Sequence, residues 1–174
     1  MLKIFISSCL FLFTGICCYA QEEFIEPPSK KLTTLPMEVL SGGVVIIKAA
    51  FGERSDSLNF ILDTGSSGIS LDSTLVTLYE LKPAETDRTI RGVGGVRKVS
   101  FLFRQKLKFP GLTVDSLDFH VNNYDMLTSV YGKRIDGIIG FAFLSRYIVK
   151  LNYDSLKMEV WTNGPMRYPK GGFL

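Results

Sequence analysis

A chain of 174 residues is enough for one ordinary domain and too short for two large ones. With 46% apolar residues it can build a hydrophobic core, which excludes wholesale disorder. A net charge of +3, spread over scattered basic residues, leaves no footprint for nucleic acid.

The first twenty residues read as a secretory signal peptide. Lys3 gives a positive start, residues 4–16 form an apolar run, and Cys18-Tyr19-Ala20 ends on a small residue before a cut at Gln21. That run is shorter than the roughly 20 residues a spanning helix needs, so no integral membrane span is expected after its removal. The expected location is secreted or periplasmic. Cys9, Cys17 and Cys18 all lie in this segment. A mature chain without cysteine excludes a disulfide framework, a thiolate nucleophile and a zinc–thiolate site.

Residues 21–34 open with "QEEFIEPPSKK" and read as a flexible leader. From Leu35 to Trp161 the pattern is that of one mainly β domain. "GGVVIIKAAF" and "LNFILD" are strands around the turn "GERSDS", and "GISLD" continues extended. "DSTLVTLYELK" predicts a helix capped by Asp72 or Ser73 and stopped by Pro83. "RTIRGVGGVRKVSFLF" predicts two arms around a glycine-rich tip, and "QKLKF" and "LTVDSLDFHV" predict two more strands. "DGIIGFAFLSRY" reads as a buried loop leading into a short helix, and "YIVKLNYDSLKMEVW" as a closing hairpin with its turn at "YDSL". Residues 162–174 read as a Gly/Pro-rich linker or tail.

Chemistry concentrates at "FILDTGSSG". An acid at the end of an apolar strand costs stability unless it is hydrogen-bonded or used. Here Asp63 is followed by small, turn-forming residues. "RGVGGVRKV" begins 28 residues later, and "IDGIIG" ends at Gly140, 77 residues later. The tripeptide alone is a weak signal, and an acid in a turn would satisfy it. The ordered set of three is far more specific.

That set resembles the retropepsin-like aspartic peptidases, including their bacterial secreted members, over about Leu35 to Trp161. The resemblance implies a small closed β-barrel with one or two short helices. It implies Asp63 as the catalytic acid/base, supported by Thr64, Gly65 and Ser66, with Thr64 reaching a partner loop and Ser66 the outer carboxylate oxygen. Gly92, Val93, Gly94 and Gly95 would form a flap, and Ile138, Ile139 and Gly140 would pack behind the catalytic loop. Peptide hydrolysis without metal or covalent nucleophile needs one base to activate water and one acid to help the amide. Two carboxylates sharing a proton supply both. One Asp-Thr-Gly per chain therefore implies a homodimer acting on a peptide or protein substrate. No metal or other cofactor is implied. Similar bacterial proteins can carry a downstream PDZ-type domain.

Other readings stand beside this one. A non-catalytic peptide-binding or assembly module could keep the fold. Asp136, just before the Ile-Ile-Gly segment, is weighed as an in-chain second acid and read as a turn residue near the catalytic loop. The glycine cluster lacks the setting of a dinucleotide site. Arg88, Arg91, Arg97 and Lys98 flank it, either keeping a hairpin edge soluble or favouring acidic residues in substrates. His120, the only histidine, has no companions for a metal site and reads as a surface or core polar residue.

Overall fold

The computed structural model describes residues 26–92 and 95–166. The signal peptide, the first part of the leader, Val93, Gly94 and the last eight residues lie outside them.

Strands form both where apolar and polar residues alternate and where short apolar runs are buried on both sides. Strand β1 (Lys31–Val39) buries Thr33, Leu35 and Met37 on one face. It starts four residues inside the stretch read as a leader. Pro36 marks the point where β1 leaves one partner for another, a position at which a missing N–H costs little. Residues 31–36 pair with β11 (Lys157–Trp161), and residues 37–39 pair with β2 (Val45–Phe51). Ser29 and Lys30 also hydrogen-bond to Pro165 and Thr162, which ties the start of the tail to the end of the leader.

Strand β2 pairs antiparallel with β3 (Leu58–Leu62), which runs parallel to β9 (Gly137–Ile139). β9 then pairs with β4 (Ile69–Asp72), β4 with β8 (Leu112–Asn122), and β8 with β7 (Phe101–Phe109). A last pairing of β7 with β2 closes these six strands into a mixed β-barrel. Edges are thereby removed from the centre of the fold. Ile47, Phe60, Ile69, Leu71, Phe119 and Ile139 are all fully buried in the core. The sheet continues past the barrel as β2–β1–β11–β10, with β10 spanning Ile148–Asn152.

Three short helices occur among the described residues: α1 (Ser73–Leu78), α2 (Asp125–Tyr131) and α3 (Phe141–Leu144). The Asp72 carboxylate caps α1 by accepting from the Thr74 N–H at 2.8 Å. α1 ends four residues short of its expected limit, because Glu80 turns left-handed (φ 53°). α2 was not expected from the sequence. It covers a second cluster built on Ile46, Ile61, Tyr124 and Ile135, on the outer face of the barrel wall.

The expected hairpin around the glycines forms as β5 (Thr89–Gly92) and β6 (Gly95–Lys98), a two-stranded sheet separate from the barrel. Its second arm stops at Lys98. "SFLF" and "QKLKF", read as separate strands, join as the single β7, kinked where Arg104 adopts φ 53° and the register with β8 shifts.

Candidate active site

Asp63 stands just beyond the C-terminal end of β3, where the parallel β3–β9 pair opens. Its N–H donates to the Ile139 carbonyl (3.0 Å), so the ladder holds its backbone. The chain then turns through Thr64–Gly68. Gly65 N–H donates to Asp63 Oδ1 at 2.8 Å, and Ser66 N–H donates to the Asp63 carbonyl at 3.3 Å. A Cβ at Gly65 would lie 3.2 Å from that same Oδ1, so glycine keeps the approach open. The carboxylate is thus aimed by its own loop while Asp63 remains half-exposed.

The Ile-Ile-Gly segment locks this loop from behind. Ser66 carbonyl accepts from Phe141 N–H at 2.8 Å. A Cβ on Gly140 would meet Ser66 O at 2.3 Å and Gly68 O at 2.5 Å, both backbone atoms. Two chain segments touch there, and only glycine fits between them. Ile139 is buried in the barrel, whereas Ile138 is half-buried and turns outward.

A cleft of about 470 Å³ opens at Asp63 and Thr64. Val44, Ile61, Ile138, Leu127 and Tyr131 contribute apolar walls, and Leu151 and Tyr153 of the closing hairpin contribute others. Leu127 and Tyr131 come from α2, which the sequence reading missed. One signal was present: Gly132 follows with φ 60°, the left-handed stop that ends many helices.

Two expected placements are corrected. Ser66 Oγ lies 3.5 Å from Gly68 O, within its own loop, and makes no hydrogen bond to the Asp63 carboxylate among the described residues. Asp136 is not near the loop. It pairs with Asn59 at the start of the parallel β3–β9 ladder, accepting from Asn59 N–H at 2.8 Å. Asn59 and Asp63 are four residues apart on one strand, which is about 13 Å. Asp136 is 2% exposed, with Arg134 Nε 2.6 Å from Oδ1 as an ion pair off hydrogen-bond alignment. Burial pushes its carboxyl up, and Asn59 and Arg134 pull the other way.

His120 is buried on the outward face of β8, opposite Ser70 of β4 and Phe101 of β7. Its Nδ1 would be 3.3 Å from a Cβ placed on Gly68, so it backs the far end of the same loop. Burial holds its pKa below the ordinary value, Arg97 adds to this, and the Ile69 backbone opposes it. No metal-binding cluster occurs among the described residues.

The β5–β6 hairpin brings Gly92 and Gly95 opposite one another at its tip; Val93 and Gly94 lie outside the described residues. The four basic residues around it are exposed, and three are engaged. Arg88 pairs with Asp118 and lies over Phe101 and Phe103, Lys98 pairs with Asp87, and Arg97 donates to Asn122.

A family model for aspartyl proteases matches residues 47–143, more than half of the chain. No curated protein sequence matches. Among solved structures, a retropepsin-like aspartic protease from Rickettsia conorii superposes with a TM-score of 0.55 at 17% identity, covering 80% of this chain and 98% of that one. The EIAV protease complexed with the inhibitor HBY-793 gives a TM-score of 0.43 at 18% identity, covering 57% and 84%. The first supports a shared fold, and the second is too distant to carry more.

Proposed function

The chain belongs to the aspartyl protease family, and from that premise we propose that it is an endopeptidase whose site is completed by a second copy. The observation that carries this reading is Asp63, half-exposed at an apolar cleft with its carboxylate oriented by Gly65 N–H. One such loop per chain supplies one carboxylate, and the reaction needs two.

Two carboxylates brought together across a twofold axis hold a single proton between them. The ionised one takes a proton from a water as its oxygen attacks the scissile carbonyl carbon. The protonated one gives its proton to the carbonyl oxygen. Collapse of the resulting diol returns a proton to the amide nitrogen, and one water is consumed per bond cleaved. Thr64, exposed in the loop, would meet its counterpart in the partner. The β5–β6 hairpin would close over a peptide bound extended across the floor. We place this activity outside the cytoplasm on the strength of residues 1–20, and a mature N-terminus at Gln21 would bear that out.

Incubation with a mixed peptide library between pH 4 and 7, with and without pepstatin, tests the reading. Wild type is expected to cleave and to be blocked by pepstatin, and Asp63→Asn is expected to be folded and inactive. An active Asp63→Asn protein ends the proposal. A protein that stays monomeric at every concentration and cleaves nothing is instead a peptide-binding module.

A further inference from the structure

Behind the site a run of hydrogen bonds links the segment behind the Asp63 loop to the hairpin that the proposed reaction would use as a flap. Arg97, on β6, donates to Asn122 Oδ1. Asn122 Nδ2 donates to the Tyr124 hydroxyl at 3.3 Å, and that hydroxyl lies 2.5 Å from Ser70 Oγ. Ser70 Oγ accepts from Ile138 N–H at 3.1 Å. One residue further along β9, the Ile139 carbonyl accepts from Asp63 N–H. Ser70 and Tyr124 are buried, so the inner half of the run is rigid, while Arg97 at its outer end is exposed.

We propose that Arg97, Asn122 and Tyr124 form a clamp that fixes one leg of the hairpin to the segment behind the catalytic loop. They would act as positioning residues for hydrolysis. Three facts lead here. A two-stranded hairpin is marginal by itself, so its orientation depends on what grips its base. Its other leg is gripped at the surface, where Arg88 rests on Phe101 and Phe103 and meets Asp118 at 3.7 Å. Finally, Asn122 is oriented from both ends. Its oxygen takes Arg97 and the Asn123 N–H (2.9 Å), which leaves its nitrogen no choice but Tyr124. Both this bond and the Lys98–Asp87 ion pair lie at the surface, but Asn122 is held in place by its other bonds, whereas Asp87 is 96% exposed and holds its partner less firmly.

The proposal rests on the peptidase reading, but its test does not. Amide hydrogen exchange at pH 7 would be followed in the full protein for the wild type and for Asn122→Ala, Arg97→Ala, Asn122→Asp and Lys98→Ala. Asn122→Ala and Arg97→Ala are expected to speed exchange in residues 89–98 by about tenfold, with β3 and β9 unchanged. Asn122→Asp keeps the acceptor and should restore protection, and Lys98→Ala should change it by less than about twofold. In the active protein Asn122→Ala should raise KM several-fold with kcat nearly kept, because only the closed fraction binds well. Wild-type exchange in both alanine variants would overturn the clamp. So would loosening of hairpin and barrel together in Asn122→Asp as much as in Asn122→Ala, which marks a purely structural network. If the wild type cleaves nothing, the peptidase reading fails and the exchange result still decides the clamp.

Discussion

Gly140→Ala is the most discriminating single change outside the acid itself. The added methyl would sit 2.3 Å from Ser66 O, 2.5 Å from Gly68 O and 2.9 Å from Ser66 C. An ordinary carbon–oxygen contact is about 3.3 Å or more, so the segments must part by about 1 Å. All three atoms are backbone, and no side chain can swing aside. Overpacking of this kind costs about 1–3 kcal/mol. The hydrogen bond from Phe141 N–H to Ser66 O would stretch with it, adding about 1 kcal/mol. The variant should therefore fold, about 2–4 kcal/mol less stable by urea denaturation, since a domain of this size has margin for that loss. Its activity should suffer more than its stability, because a 1 Å misplacement of a reacting group costs about a hundredfold. Urea titration followed by circular dichroism, and peptide cleavage on the same preparation, measure both. Stability within about 0.5 kcal/mol of wild type, with full cleavage, would refute the claim that this glycine sets the loop's position.

The folded protein prefers neutral His120, so the unfolded chain takes up that proton first. Stability from this site is full above pH 6.5 and drains away as pH falls below it, and His120→Gln should flatten that slope in urea titrations between pH 7 and 5. Phe60→Ala, at a fully buried core position, should cost about 3–5 kcal/mol by denaturant titration. Asp136→Asn should cost about 1 kcal/mol at pH 7 and leave cleavage intact, because an amide oxygen can still accept from Asn59 N–H and Arg134 can turn to water.

What the sequence showed, and what it hid, follows from the range of the forces involved. β7 and β8 were legible because buried and exposed side chains roughly alternate along them, and β2 and β3 because short apolar runs between turn residues read as buried strands without knowledge of partners, whereas β9, three residues long, read as a loop. Asp63 was legible because its loop makes its own hydrogen bonds within three residues. α2 was hidden. "DMLTSVY" is short, mixes Thr, Val and Tyr into a helix, and has no side-chain cap on Tyr124. It forms because Leu127 and Tyr131 pack against the cluster of Ile46, Ile61, Tyr124 and Ile135 on the barrel's outer face, a contact visible only once the barrel is closed. α1 was read too long for a similar reason. Tyr79 is drawn off the helix to pack under Arg54 and to donate to Asp56 at 2.7 Å.

The two acids flanking β3 and β9 show how one fold separates chemistry from structure. Both lie at the ends of the same parallel pair, and in sequence both have a glycine within two residues. At the end where the strands begin, Asp136 is enclosed, and its oxygens meet Asn59 and Arg134. Nothing is left for a reacting molecule to reach. At the end where they diverge, the ladder has spent its last bond on Asp63 N–H, and the turn beyond it holds only one carboxylate oxygen. The other oxygen has no hydrogen-bond partner among the described residues, and Asp63 lines the cleft that forms there. Parallel strands open at their ends because their connections must leave the sheet, and the position proposed for catalysis is the one where that opening exposes a carboxylate already aimed by its own backbone.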